Sequence, residues 1–170
     1  MNAVLENMMT RRSCRAFEQK EIPQDILDQI MTAAVYAPTA MNRQSWRFTV
    51  LRSADEIAGL AQAVGKAIGR EDYDFYRPDT LVIVSNQRTN ANAIADAGCA
   101  MQNIMLSAHA LGVASCWINQ MKDTNEDVSV RARLAAYGIP AEHDVQCCAA
   151  LGYGAPAREI EHDMSAVHYV

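Results

Sequence analysis

Apolar residues spaced three and four apart alternate along this chain with short strand-like runs. Val4, Leu5, Met8 and Met9 mark a first helix that Asn2 can cap. Pro23 suits the first turn of a second helix, whose Ile26, Leu27, Ile30, Met31 and Ala34 share one face and which should end before Pro38. Trp46, Phe48 and Val50 then alternate with Arg47, Thr49 and Leu51, the period of a strand. Ser53 and Glu56 form a capping-box pair for a third helix reaching about Lys66, and Leu81 to Val84 is a short apolar run of strand type.

The longest periodic stretch runs from about Asn92 to Leu111. Ile94, Ala97, Met101, Ile104, Met105, Ala108 and Leu111 form one broad stripe, and Gly112 is a natural stop. Ala95, Gly98 and Cys99 occupy the other face, so this helix calls for burial in the core or against a second subunit. A strand over Ser115 to Ile118 follows, then a helix opened by Thr124 and closed at Gly138-Ile139-Pro140, and a last strand from Val145 to Gly152. The tail from Ala155 is polar. This order predicts one α+β domain over residues 1–170, a central sheet covered by helices.

Composition narrows the classes. Half of the 170 residues are hydrophobic and 21% are charged, as in a globular protein. A net charge of −5 without a dominant basic face argues against nucleic-acid binding. No apolar run approaches the ~20 residues that span a bilayer, and Met1 to Thr10 does not resemble a signal peptide; the expected location is the cytoplasm, with no membrane partner. Cys14, Cys99, Cys116, Cys147 and Cys148 show no CxxC and no His at ligand spacing, so small buried thiols are expected rather than disulfides or a metal. Adjacent Cys147 and Cys148 would point to opposite faces of a strand.

Three clusters carry candidate chemistry. Arg11-Arg12-Ser13-Cys14-Arg15 gathers cations and a hydroxyl in an otherwise acidic chain. Such groups match a phosphate, and two or three charge-assisted bonds at roughly 1.5–3 kcal/mol each approach the ~8 kcal/mol of micromolar binding. A solvated basic turn neutralising the end of the first helix explains them equally well. Ala37-Pro38-Thr39-Ala40-Met41-Asn42-Arg43-Gln44-Ser45-Trp46 joins a helix to a strand; its small residues let a planar ring approach, and its carboxamides suit a heteroatom edge. The third cluster, Ala110 to Asn119 with Ala149 to Gly154 later, reads as strands ending in polar or glycine-rich turns.

In this order, "RRSCRAF", "APTAMNRQSWRF", "DAGCAMQNIMLSAHALGVASCWIN" and "ALGYGAP" resemble successive signatures of the nitroreductase family of FMN proteins. The resemblance implies a mixed, mainly antiparallel sheet flanked by helices in an intertwined homodimer, with two FMN sites built from both subunits. By that likeness Arg11, Arg12, Ser13 and Arg15 hold the phosphate and ribityl chain. Pro38, Thr39, Ala40 and Asn42, with Gln44 behind, meet the isoalloxazine from the partner. The backbone of Trp117, Ile118 and Asn119 lies along the flavin, with the amide of Asn119 or Gln120 near N5, and the helix at 92–111 forms much of the interface. The family places a basic residue near the C-terminus to close the phosphate site; Arg158, the one Arg or Lys after Arg133, takes that place here. Lys66 is a candidate for the polyol or pyrimidine edge, and Gly69 to Pro78, with Tyr73, Phe75 and Tyr76, for a small lid.

No paired carboxylates or Ser-His-Asp arrangement support hydrolysis, and His109, His143, His162 and His168 are scattered. The expected activity is a ping-pong transfer of hydride from NADH or NADPH through flavin N5 to a small electron-poor acceptor, a nitroaromatic or quinone, with no side chain as catalyst. The alternative is a non-catalytic FMN-binding module for storage or sensing.

Overall fold

The computed structural model describes residues 2–155 and 160–170. Its helices are α1 (Ala3–Thr10), α2 (Gln24–Val35), α3 (Ala54–Ala67), α4 (Ala93–Ala110) and α5 (Val128–Ala136). Its strands are β1 (Trp46–Leu51), β2 (Thr80–Gln87), β3 (Ala114–Ile118) and β4 (His143–Gly152). They lie in the order β1-β2-β4-β3, every neighbouring pair antiparallel. The mixed character rests on one parallel bridge, Ser13 to Ser115, which ties the segment after α1 to the β3 edge.

Local signals explain most of the boundaries. Asn2 accepts from Val4 N–H at 2.8 Å and Ser53 from Glu56 N–H at 3.4 Å, so both capping residues act as their positions imply. Gly138 ends α5 with φ 75°, a conformation that glycine adopts without strain. One start differs from the sequence reading. Thr124 closes a 3-10 turn by donating to Met121 O, and α5 begins only after Asp127, whose Oδ1 accepts from Ser129 and Val130 N–H. A carboxylate at the positive end of a helix outcompetes a buried hydroxyl there. Asp127→Ala is expected to lower the stability by about 1 kcal/mol, read as a shift in the urea midpoint at unchanged slope.

The sheet separates two apolar layers. Leu81 and Ile83 face α3 and α5, packing with Ile57, Leu60, Val130 and Leu134. Val82 and Val84 face α2 and α4, packing with Leu27, Ile30, Met101 and Ile104. β2 is buried on both faces, which is why it reads as an unbroken apolar run. Cys147 and Cys148 fall in opposite layers, as adjacent strand residues must. A bulge opposite Val84 and Ser85 lets Val145 join the α3/α5 side, although Cys147 two residues on faces the other.

The segment from Gly69 to Pro78 corrects the lid expectation. Tyr73 and Phe75 are buried in the α3/α5 layer, their rings edge to face with centroids 5.0 Å apart. A lid must leave its seat, and burying two aromatic side chains opposes that. Elsewhere much apolar surface lies open. Val4, Leu5, Met8 and Met9 are each about half exposed, and Ile94, Ala95 and Cys99 form an exposed face of α4. No described helix is long and apolar enough to cross a membrane.

Candidate functional site

The strand register decides which of the candidate clusters meet. Ser115 pairs with Leu151 and Leu151 with Thr80, so the Arg11–Arg15 segment lies at that end of the β3 edge. Trp46 pairs with Asn86 at the far end of β1, the opposite edge of the sheet. Strand spacings put the two corners on the order of 25 Å apart. Arg11, Arg12, Ser13 and Arg15 therefore share the β3 edge with Trp117, Ile118 and Asn119. Pro38, Thr39, Ala40, Asn42 and Gln44 sit diagonally across the same chain. Arg158 lies outside the described residues.

At the β3 corner the chain is tightly held. Cys14 N–H donates to Ser115 O at 2.9 Å and Glu18 N–H to Tyr153 O at 2.8 Å, so residues 13–18 run against the ends of β3 and β4. Gly154 makes that approach possible, because a Cβ there would collide with the Ala16 carbonyl. Arg12 Nη1 donates to Met9 O at 2.6 Å and Arg11 O at 2.8 Å, so it neutralises the end of α1 as a basic turn would. Arg11 differs. Its Nη1 is buried and has no hydrogen-bond partner among the described residues, and neither has the Ser115 hydroxyl. Burial, with the Arg12 charge beside it, depresses the pKa of the Arg11 guanidinium. A hollow of about 270 Å³ is lined by Thr10, Arg12 and Ala114, the chain neighbours of Arg11 and Ser115, with Cys14, His109 and Gly154. Arg15 is exposed, its guanidinium carbon 6.0 Å from the centre of the Tyr76 ring.

Farther along the edge, Trp117 packs toward α2 and α4, and Cys116 and Ile118 pack toward α3 and α5. Gln120 Oε1 accepts from Asn119 N–H and from the Tyr73 hydroxyl, each at 3.2 Å. Lys66 is exposed beside Gly69 and Arg70, on the rim of another shallow hollow. Burial pushes the Cys147 thiol up to about 12 and Cys148 well above its ordinary value, so neither offers a thiolate at neutral pH.

At the diagonal corner, Gln44 Nε2 donates to Asn42 Oδ1 at 2.8 Å and Gln44 N–H to Thr39 Oγ1 at 3.2 Å. Each carboxamide keeps hydrogen-bonding capacity toward solvent, since Asn42 and Gln44 are both exposed.

The Nitroreductase family model matches residues 8–153. The chain belongs to the nitroreductase family. Like the nitroreductase of Bacteroides fragilis solved with bound FMN, it folds as one continuous match: 38% identity, all of both chains covered, TM-score 0.95. A second nitroreductase with bound FMN, from Desulfitobacterium hafniense, is 25% identical over 100% of this chain and 99% of its own, with TM-score 0.89. A protein of Methanothermobacter thermautotrophicus that carries the name NADH dehydrogenase/NAD(P)H nitroreductase is 29% identical over 81% of this chain and 72% of its own.

Within this nitroreductase fold, Ser115 and His109 were not singled out from the sequence. Ser115 had a usable signal, a hydroxyl in a strand otherwise buried on both faces. His109 had none, since its neighbour is fixed by tertiary packing: Thr10 Oγ1 lies 3.0 Å from its Nε2. Its pKa is lowered by burial and then by the Arg11 and Arg12 charges, so the fold favours the neutral ring. A depressed imidazole contributes stability above its unfolded value that is lost as pH falls through the folded one. The unfolding midpoint should therefore fall as the pH drops below the ordinary histidine range, about 6.5. His109→Gln should flatten that slope, the remainder belonging to His143, whose pKa burial lowers in the same way.

Proposed function

We propose that the chain forms a homodimer that binds FMN along each β3 edge and passes hydride from NADH or NADPH to a small electron-poor acceptor, a nitroaromatic or quinone. The observation that carries this reading is Arg11 Nη1, buried with no hydrogen-bond partner among the described residues, on the segment that bridges to Ser115 of β3. A buried guanidinium N–H without an acceptor is costly, and a phosphate oxygen would supply the missing acceptor. The Bacteroides fragilis relative, solved with FMN, supports that ligand, and the name of the archaeal relative supports a nicotinamide donor. The diagonal separation supports a site completed by a second copy, whose Pro38–Gln44 turn would reach the flavin. The open apolar faces of α1 and α4 support the pairing, because surface of that kind on a monomer usually marks an interface.

In this reading Arg11, Ser13 and Arg15 hold the phosphate, with Arg12 at the rim; Arg158, the further candidate, lies outside the described residues. Pro38, Thr39 and Ala40 give a flat approach to the ring, and the joined carboxamides of Asn42 and Gln44 address its polar edge. The backbone of Trp117, Ile118 and Asn119 lines the other side, and Asn119 N–H, held only at 3.2 Å by Gln120, is available to N5. Bound FMN supplies two-electron redox chemistry in two half-reactions, with donor and acceptor using the same face in turn. The acceptor takes up a proton together with the hydride, and solvent at the exposed Asn42 and Gln44 edge would supply it, so no side chain need act as acid; the chain orients the ring.

The test is an absorption spectrum after loading with FMN and desalting, followed by anaerobic addition of NADH and then NADPH. A retained band that one nicotinamide bleaches, and that an added quinone restores, is the expected result. A retained band that neither bleaches would leave a flavin-binding module, and loss of the band would remove the phosphate assignment.

A further inference from the structure

Asp96, the first residue of the DAGCAMQN stretch, lies in the first turn of α4 and is only 4% exposed. Among the described residues it forms no ion pair. Two uncharged donors hold it instead, Ala40 N–H to Oδ1 and Asn90 Nδ2 to Oδ2, both at 2.9 Å. Asn90 Nδ2 also reaches Ser45 Oγ at 3.1 Å, and Ser45 donates to Asn86 Oδ1 at 2.8 Å. Asn90 Oδ1 accepts from Asn92 N–H at 2.9 Å, which anchors it at the start of α4.

This network grips the Pro38–Ser45 turn at both ends, Ala40 near its start and Ser45 at its close. Between those two anchors three non-glycine residues stand in the left-handed region: Met41 at φ 53°, Asn42 at 52° and Gln44 at 48°. That region is disfavoured for L residues with a Cβ, so the turn keeps this shape only while its ends are fixed. The carboxamides it displays belong to two of the three left-handed residues. A shift of either anchor therefore re-aims both.

We infer that Asp96 is a positioning residue for the flavin-facing turn, acting through Ala40 N–H and the Asn90–Ser45 relay on the half-site that the other subunit completes. The inference rests on the reading under Proposed function. A carboxylate suits the place because it accepts from both donors at once. Asparagine has one acceptor and one donor, and so sets its amide against either Ala40 N–H or Asn90 Nδ2. Exchanging the two residue types keeps both bonds of position 96, since a carboxamide there accepts from Ala40 N–H and donates to a carboxylate at position 90. The Ser45 hydroxyl, which loses the Asn90 donor, can turn its hydrogen from Asn86 to that carboxylate, and Asn86 Oδ1 still accepts from Gln87 N–H.

The experiment compares wild type, Asp96→Asn and the Asp96→Asn/Asn90→Asp pair, each loaded with FMN and desalted. The readouts are the FMN dissociation constant, the visible circular dichroism of the bound flavin, and kcat and KM with NADH and a quinone. Asp96→Asn is expected to weaken FMN about tenfold or more, the fold-change of one lost bond to a charged acceptor, and to alter the visible dichroism while far-UV dichroism and dimer mass stay unchanged. The exchanged pair should recover most of both. Wild-type affinity and dichroism in Asp96→Asn would overturn the positioning role alone. So would an exchanged pair no better than the single variant, which would mark a general loss of packing. A wild type that retains no flavin would overturn the proposed function and this inference together. Should Asp96→Asn not fold, Ser45→Ala releases the other anchor, and an unchanged flavin dichroism there overturns the proposal equally.

Discussion

Arg11→Ala is expected to raise the FMN dissociation constant about a hundredfold or more, from two lost charge-assisted bonds at roughly 1.5–3 kcal/mol each, and to leave the flavin-free protein no less stable. The second half of that expectation sets this residue apart from its neighbours. In the flavin-free chain Arg11 is half-buried, its Nη1 has no partner among the described residues, and Arg12 stands beside it. Removing the group removes a desolvation cost and a like-charge repulsion, whereas removing an ordinary buried arginine breaks bonds. Thermal unfolding with and without FMN checks both halves at once. Wild type should gain stability from saturating FMN in proportion to the logarithm of ligand over dissociation constant, and the variant should gain far less at the same concentration. A variant that binds FMN as tightly as wild type would mean that Arg11 is a structural cation and that the phosphate lies elsewhere.

Gly98→Arg is expected to convert the proposed dimer into a flavin-free monomer with its secondary structure intact. Nothing lies within 4 Å of the position where a Cβ at Gly98 would stand. Within one chain a side chain can thus leave the helix there without a clash at its Cβ, and the replacement should favour the helix by roughly 1 kcal/mol, since glycine is a poor helix former. The neighbouring surface, Ile94, Ala95, Cys99 and Gln102, is exposed and small or apolar except for the Gln102 carboxamide. Only a partner packed against that face would make an arginine there intolerable, through both its volume and its charge. Light scattering after size exclusion reads the mass, and the absorption spectrum reads the flavin. Loss of both together is the outcome expected of a site shared between subunits. A dimer that keeps its flavin would move the interface off this face of α4.

The legible and illegible parts of the chain differ in the range of the forces involved. Asn2, Ser53 and Gly138 act on backbone groups within a few residues, so the elements they bound could be read directly. Thr124 misled because Asp127, three residues on, is the stronger cap. Tyr73 and Phe75 fall in the segment that the sequence offers as a small lid; that they are buried in one layer with Ile83 and Cys148 of the sheet is a matter of which strands arrive there. The basic cluster was legible as a cluster, but not its division of labour. Arg12 turns back on Met9 while Arg11 is left unpaired, and only the docking of the segment onto Ser115 separates them.

By itself the sequence determined the helices, the strands, the caps at Asn2 and Ser53 and the four signatures of the nitroreductase family, because periodicity, capping and glycine turns are written within short windows of chain. Tertiary structure alone decided where the signatures meet. The order β1-β2-β4-β3 puts the basic cluster and the Pro38–Gln44 turn at opposite corners, and the tie from Asp96 to Ala40 joins residues 56 positions apart. Contacts of that separation depend on how the sheet is ordered and which helices cover it. No local pattern carries that, because each bond forms only after the whole core has packed.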